Sequence, residues 1–201
     1  LQQEGYQIEA LPQKGYRLLE CEVYSGYEIQ RRLNTGTVGH PLIFMEEIGS
    51  TNDYVKELAA QGYPSGTTVV ARRQTGGKGR LGRTFVSPAE GVYYTVLLRP
   101  EAGVEALSLL TILAAEVSAD TIEQLTGVRP GVKWINDLYL KDRKICGILT
   151  ECSVEGESGR VSYAAVGIGM NLHQKETDFP PELRDKAGSV EMLTGKHVPA
   201  A

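Results

Sequence analysis

The sequence predicts an α+β fold, a mixed and largely antiparallel sheet with helices packed on one face. Strand-like segments at residues 132–135, 138–140, 144–151 and 160–172 follow one another through short turns, which suits consecutive antiparallel pairing. Two helical patterns, residues 53–61 and 104–125, lie between earlier strands. The 201 residues, 41% hydrophobic, suffice for one sizeable core, and no apolar run approaches the ~18 residues of a membrane span.

In chain order, residues 6–11 and 15–19 flank Pro12-Gln13-Lys14 and read as a short hairpin, marginal unless it leans on a neighbour. Residues 27–33 carry one or two helical turns, with Arg31-Arg32 on a solvated face, and residues 41–45 form a strand. Ser50 is the expected N-cap of the helix at 53–61, with Asp53 at the capping-box position and Gly62 closing it. Residues 67–73 and 91–98 are strands, the second stopped by Arg99-Pro100. Within 104–125, Leu107, Leu110, Leu113, Ala114, Val117, Thr121 and Leu125 recur at spacings of three and four and define the packing stripe of one long amphipathic helix. Gly127 and Pro130 break the chain before the closing strands.

The net charge of −4 argues against tight non-specific nucleic-acid binding, so clustered cations serve a local purpose. Cys21, Cys146 and Cys152 are odd in number, lack C-x-x-C spacing and follow no signal peptide, which predicts a reducing cytoplasm and no membrane partner. The chain opens on Leu1 and ends at 196–201 without a closing element, so it reads as a fragment at both ends.

The richest segment is Gln74-Thr75-Gly76-Gly77-Lys78-Gly79-Arg80-Leu81-Gly82-Arg83, four glycines and three cations directly after an apolar strand. Glycines let backbone N–H groups approach a ligand and the cations point to an anion. Gly77, Gly79 and Gly82 satisfy G-x-G-x-x-G, but the dinucleotide fingerprint needs a helix next, and Arg83 to Pro88 is β-branched, aromatic and proline-broken. A Walker loop fails because Lys78 precedes Gly79 rather than Ser or Thr. In Lys133-Trp134-Ile135-Asn136-Asp137, a strand places Lys133 and Ile135 on one side and Trp134 on the other, with Asn136 and Asp137 at the turn. A carboxylate and an amide there suit a nucleotide or its Mg²⁺, and Asn-Asp is equally plain β-turn chemistry. Lys144 stands before the buried run Ile145 to Leu149, where it either snorkels or holds an anion, and Gly147 leaves room above the sheet. Gly167 and Gly169 share a strand face ahead of Asn171, which implies a close neighbour, ligand or backbone.

These motifs, in this order, resemble those of biotin protein ligases, including bifunctional ones with an N-terminal winged-helix repressor domain. The resemblance runs from the hairpin to about the end of the chain. It implies a catalytic domain like those of class II aminoacyl-tRNA synthetases and biotin/lipoate ligases over residues 41–201, C-terminally truncated. Residues 1–20 would then be the wing remnant of the DNA-binding domain, and 21–40 a linker with a short helix. It also implies the reaction: biotin and ATP with Mg²⁺ give biotinyl-5′-AMP and pyrophosphate, and a lysine of a biotin carboxyl carrier protein then takes the biotinyl group.

By motif, Ser50, Thr51 and Asn52 line the biotin head-group pocket. Gln74, Lys78, Gly79 and Arg80 hold biotin and the acyl-phosphate, and Arg83 lies nearer the ATP phosphates. Lys133, Trp134, Asn136 and Asp137 serve the nucleotide, with Asp137 also the metal ligand. Lys144 neutralises developing charge beside Gly147, and Gly167, Gly169 and Asn171 form the floor. Arg80, Asp137 and Lys144 form the catalytic set. The sequence departs from the family pattern at Lys78, usually arginine, at Ile135, usually proline, and at Phe85, tryptophan in some members. His40, His173 and His197 lie outside the motifs, so no nucleophile triad is expected. A lipoate or octanoate ligase or transferase and a biotin-responsive repressor are the competing readings. Operator DNA is a partner only of an intact parent, and family members form homodimers through a sheet edge.

Overall fold

The computed structural model of the protein describes residues 5–19, 21–156 and 159–201. Its first element is the expected hairpin, β1 (Ile8–Leu11) with β2 (Gly15–Leu18). The turn needs left-handed backbone at Gln13 and Gly15, with φ of 61° and 92°, and glycine accepts that region at no steric cost. The hairpin leans on α1 (Gly26–Arg32), where the Tyr6 hydroxyl donates to Glu28 Oε1 at 3.0 Å. Residues 1–4 and 20 of the expected 1–20 unit lie outside the described residues.

Next come β3 (Leu42–Ile48), α2 (Thr51–Ala60) and β4 (Thr68–Gln74), a β-α-β unit whose strands pair in parallel. Then follow β5 (Gly91–Leu98), α3 (Glu105–Thr126), β6 (Gly131–Lys133), β7 (Asp137–Leu140), β8 (Arg143–Val154) and β9 (Val161–Asn171). A short α4 (Val190–Thr194) precedes the last residues. The seven-stranded sheet runs β3-β4-β5-β9-β8-β7-β6, and every neighbouring pair except β3 and β4 is antiparallel. The fold is thus α+β with a mixed, mostly antiparallel sheet. β9, last in sequence, enters the middle and joins β5 to β8, so registers run across the sheet. One row is Tyr93, Gly169, Gly147 and Asp137; the next is Thr95, Gly167 and Leu149.

Side chains alternate across these strands, so Gly147, Leu149 and Glu151 share a face with Gly167, Gly169 and Thr95, while Ile148 and Val166 point the other way. On the glycine face, α2 buries Val55, Leu58 and Ala59 against Val69, Leu97 and Ala165. On the opposite face, α3 buries Ala115, Ala119 and Ile122 against Ile148, Val166 and Ile168. The expectation of helices on one face is therefore corrected. α2 links the neighbouring parallel strands β3 and β4, α3 links β5 to β6 at the far edge, and the two cross the sheet on opposite sides.

Three local expectations also change. α2 starts at Thr51, two residues earlier than expected, and the Ser50 side chain makes no capping bond. Gln74 Oε1 takes that place, accepting from the Thr51 backbone N–H at 2.9 Å and from its hydroxyl at 3.1 Å. In α3, Leu113, Val117 and Leu125 are 51%, 61% and 55% exposed, and the buried stripe is Thr111, Ala115, Ser118, Ala119 and Ile122. The helix is apolar on several sides, and the face that meets the sheet is the one whose small residues allow close approach. Finally, β6 ends at Lys133 because pairing of Lys133 with Asp137 leaves only residues 134–136 to turn the chain. Trp134 is left 76% exposed.

Candidate active site

On the glycine face the α2 N-terminus, the loop after β4 and the ends of β7, β8 and β9 converge. Ser50, Thr51, Asn52, Gln74, Lys78, Gly147, Gly167 and Gly169 line a small polar cavity of about 20 Å³. The glycines are there for space. A Cβ at Gly167 would stand 2.0 Å from Asn52 Oδ1, and one at Gly169 would stand 2.7 Å from the Phe85 ring. Asn52 and Phe85 therefore occupy the volume that the glycines vacate.

The polar atoms of this cavity form one connected network. Asn52, 4% exposed, accepts at Oδ1 from Thr95 Oγ1 at 2.7 Å and donates from Nδ2 to Glu151 Oε2 at 2.9 Å and to Leu149 O at 3.3 Å. Thr95 Oγ1 also lies 2.8 Å from Thr51 Oγ1, and Gln74 Nε2 donates to Ser87 Oγ at 3.0 Å. Asp53, expected in a capping box, instead pairs with Lys78 at 2.7 Å and Lys56 at 2.9 Å. Burial pushes the Asp53 carboxyl up, but those two ammonium groups outweigh it and hold its pKa below the ordinary value.

Phe85 also borders a larger cavity of about 250 Å³, whose walls include Arg83, Asp137, Lys144, Asn171 and Lys186. Lys144 Nζ pairs with Asp137 Oδ1 at 2.6 Å and lies 5.8 Å from the Phe85 ring centre. Its Nζ would be 3.1 Å from a Cβ at Gly147, which puts the ammonium between the two cavities. Three cations against one carboxylate give this wall a positive balance suited to phosphates. Asn171 is 4% exposed; its Nδ2 donates to Gly188 O at 3.0 Å, while its buried Oδ1 has no partner among the described residues. The segment behind it is fixed to Lys144, whose N–H donates to Lys186 O at 2.8 Å and whose carbonyl accepts from Gly188 N at 3.0 Å.

Arg80 and Asn136 border a third cavity and meet directly, Arg80 Nη1 donating to Asn136 Oδ1 at 3.1 Å. Gly79 lies in the same loop, its N–H donating to Arg83 O at 2.7 Å. Lys133 pairs with Asp137, and its Nζ stands 5.3 Å from the ring of Tyr139, a wall residue of the 250 Å³ cavity. The Trp134 indole faces solvent. Sequence reasoning missed Glu151, Thr95 and Lys56. Strand parity offered a signal for the first, since Gly147, Leu149 and Glu151 alternate onto one face.

Among the described residues, the only gathering of three metal-ligand side chains is His173, Glu191 and His197. Its imidazole rings stack 4.5 Å apart and 14° from parallel, so their lone pairs run side by side instead of converging on an ion. None of these residues borders the cavities described above. No described helix is long and apolar enough to cross a membrane.

A family model, the Biotin/lipoate A/B protein ligase family, matches residues 44–171. The whole chain is similar to the bifunctional ligase/repressor BirA of Bacillus subtilis (strain 168), 38% identical over 203 residues, and spans 62% of that protein's length. BirA of Escherichia coli (strain K12) is 32% identical over 176 residues, covering 87% of this chain and 53% of the relative. The fold is similar to that of the biotin protein ligase from Aquifex aeolicus in complex with biotin and ATP, with a TM-score of 0.65 and 34% identity. That likeness covers 79% of this chain and 63% of the other. With the family's segment spanning the sheet and every motif that faces the two cavities, the chain belongs to the biotin/lipoate A/B protein ligase family.

Proposed function

We propose that this site is a biotin protein ligase centre that joins biotin to ATP as biotinyl-5′-AMP, with release of pyrophosphate. It then passes the biotinyl group to a lysine of a biotin carboxyl carrier protein. The observation that carries this reading is the pairing of a small hydrogen-bonding cavity with a cation-lined one across Phe85, with Lys144 between them. In the first step a biotin carboxylate oxygen attacks the α-phosphorus and pyrophosphate departs. In the second the carrier amine attacks the acyl carbon, AMP departs and the amine loses its proton.

Bringing two anions together makes positive charge the main requirement, and Lys144, Arg83 and Arg80 meet it without a general base. Asp137 is the carboxylate that would hold Mg²⁺, and one protein carboxylate suits an ion that takes most other ligands from phosphate and water. When bound, the ion supplies charge neutralisation at the phosphates.

The wall of Thr51, Asn52 and Gln74, backed by Thr95, presents hydrogen-bonding groups that suit the cyclic urea of biotin better than a lipoyl or octanoyl group. Homodimer formation runs through a sheet edge, and operator binding belongs to the intact parent alone, a cytoplasmic protein in which residues 1–20 form part of the wing. Residues 21–40 are the linker and 41–201 the catalytic part. ATP–pyrophosphate exchange with biotin, lipoate or octanoate as the acid tests the choice. Exchange should depend on biotin, and exchange with lipoate or octanoate but not biotin overturns the reading.

A further inference from the structure

We propose that Glu151 is the positioning residue of the head-group pocket, the acceptor that fixes which way the Asn52 amide points. This rests on the biotin reading of the cavity but on different atoms. Glu151 lies on β8 two residues past Leu149, outside the cavity lining, and its side chain is 30% exposed. One carboxylate oxygen, Oε2, accepts from Asn52 Nδ2 at 2.9 Å; the other, Oε1, accepts from Lys56 Nζ at 2.9 Å.

An amide can sit in either of two flips, and the carboxylate decides between them. A flipped Asn52 would set its oxygen against Glu151 and the Leu149 carbonyl, both acceptors. The observed orientation sends both contacts from Nδ2 and turns Oδ1 inward over Gly167. Thr95 is fully buried and has a single hydroxyl proton between two oxygen neighbours. Asn52 Oδ1 only accepts, so it takes that proton, and the single Thr51 hydroxyl proton is left to Gln74 Oε1 or Thr95 Oγ1. The acceptor that Asn52 turns toward the cavity is thereby set from Glu151. A second arm runs from Glu151 through Lys56 and Asp53 to Lys78, the loop cation. Lys56 is held protonated more firmly than usual: burial lowers its pKa, but Asp53 and Glu151 outweigh that.

The test compares Glu151→Ala with Glu151→Gln, whose carboxamide oxygen can still accept from Asn52. In ATP–pyrophosphate exchange, Glu151→Ala should raise the KM for biotin about tenfold with the ATP KM within about twofold, and Glu151→Gln should restore most of the loss. An unchanged biotin KM in folded Glu151→Ala, or equal losses in both variants, overturns the proposal. A general structural role would raise both KM values and would not be rescued.

A readout without substrate is hydrogen exchange of the Asn52 side-chain amide by NMR in the 201-residue chain. Protection in wild type and Glu151→Gln but not in Glu151→Ala supports the role even if biotin supports no exchange, which would then count against the substrate reading alone. Unchanged protection in Glu151→Ala overturns it. If Glu151→Ala does not fold, donor–acceptor exchange decides. Asn52→Asp should lose biotin binding by calorimetry and regain part of it when combined with Glu151→Gln, and no recovery in the double variant overturns the proposal.

Discussion

Lys144 shows how a single side chain becomes chemical through its surroundings. Its stem crosses the space left by Gly147, its ammonium faces the Phe85 ring, and one carboxylate, Asp137, holds it at the junction of the two cavities. Lys144→Ala should lower the pyrophosphate-exchange rate roughly a hundredfold, the ~3 kcal/mol cost of losing one preorganised group. The thermal melt should stay cooperative, because the Lys144 and Asp137 side chains, 29% and 20% exposed, keep access to water when the pair is broken. An exchange rate near that of wild type would reject the role. The lysine at the mouth of a buried strand and the two glycines of one parity were readable from sequence. That Phe85 and Asn52 fill the glycine space was not, since they come from elements distant in the chain.

The helices separate what local pattern can and cannot specify. α2 and α3 were expected from spacing and both exist, but the buried face of α3 was read only in part: Leu110 and Ala114 pack against the core, whereas Leu113, Val117 and Leu125 do not. Its leucines recur on several sides, so periodicity offers more than one stripe, and the sheet selected Ala115, Ser118 and Ala119 because small residues let helix and sheet close together. Leu113→Lys should change stability by less than about 0.5 kcal/mol, as an exposed substitution does. Ala115→Leu should cost about 1–3 kcal/mol by overpacking. Thermal melts of the two variants check this, and a large loss from Leu113→Lys alone would restore the stripe expected from sequence. The start of α2 illustrates the same limit. The Ser50 side chain does not cap, because Gln74, brought beside it by parallel pairing of β3 and β4, already serves Thr51.

At the scale of the whole molecule, the ends of the described chain meet in a charged cluster. His197 faces Glu22 at 2.6 Å from Nε2 and Glu191 at 3.1 Å from Nδ1, and its ring stacks on His173. Only the imidazolium can donate to both carboxylates, and these hydrogen bonds, Glu22 first and then Glu191, raise the His197 pKa above its ordinary 6.5. A raised folded-state pKa means that the stabilisation is complete below 6.5 and disappears as pH rises through the folded value. Melting temperature should therefore fall across that window in wild type more than in His197→Gln, which cannot titrate. Parallel profiles for the two proteins would refute the link.

What the sequence determined by itself was the element inventory, the α+β class and the set of motif residues, because periodicity, turn chemistry and clustered glycine and charge are local properties. The tertiary structure decided which of those motifs share a site. β9 enters between β5 and β8, and that pairing sets Gly167 and Gly169 opposite Gly147 and Leu149, brings Asp137 into the same row, and turns Glu151 toward Asn52. It also left Trp134, just past the end of β6, 76% exposed. Register across a sheet joins residues many positions apart, and no window of local sequence contains that information.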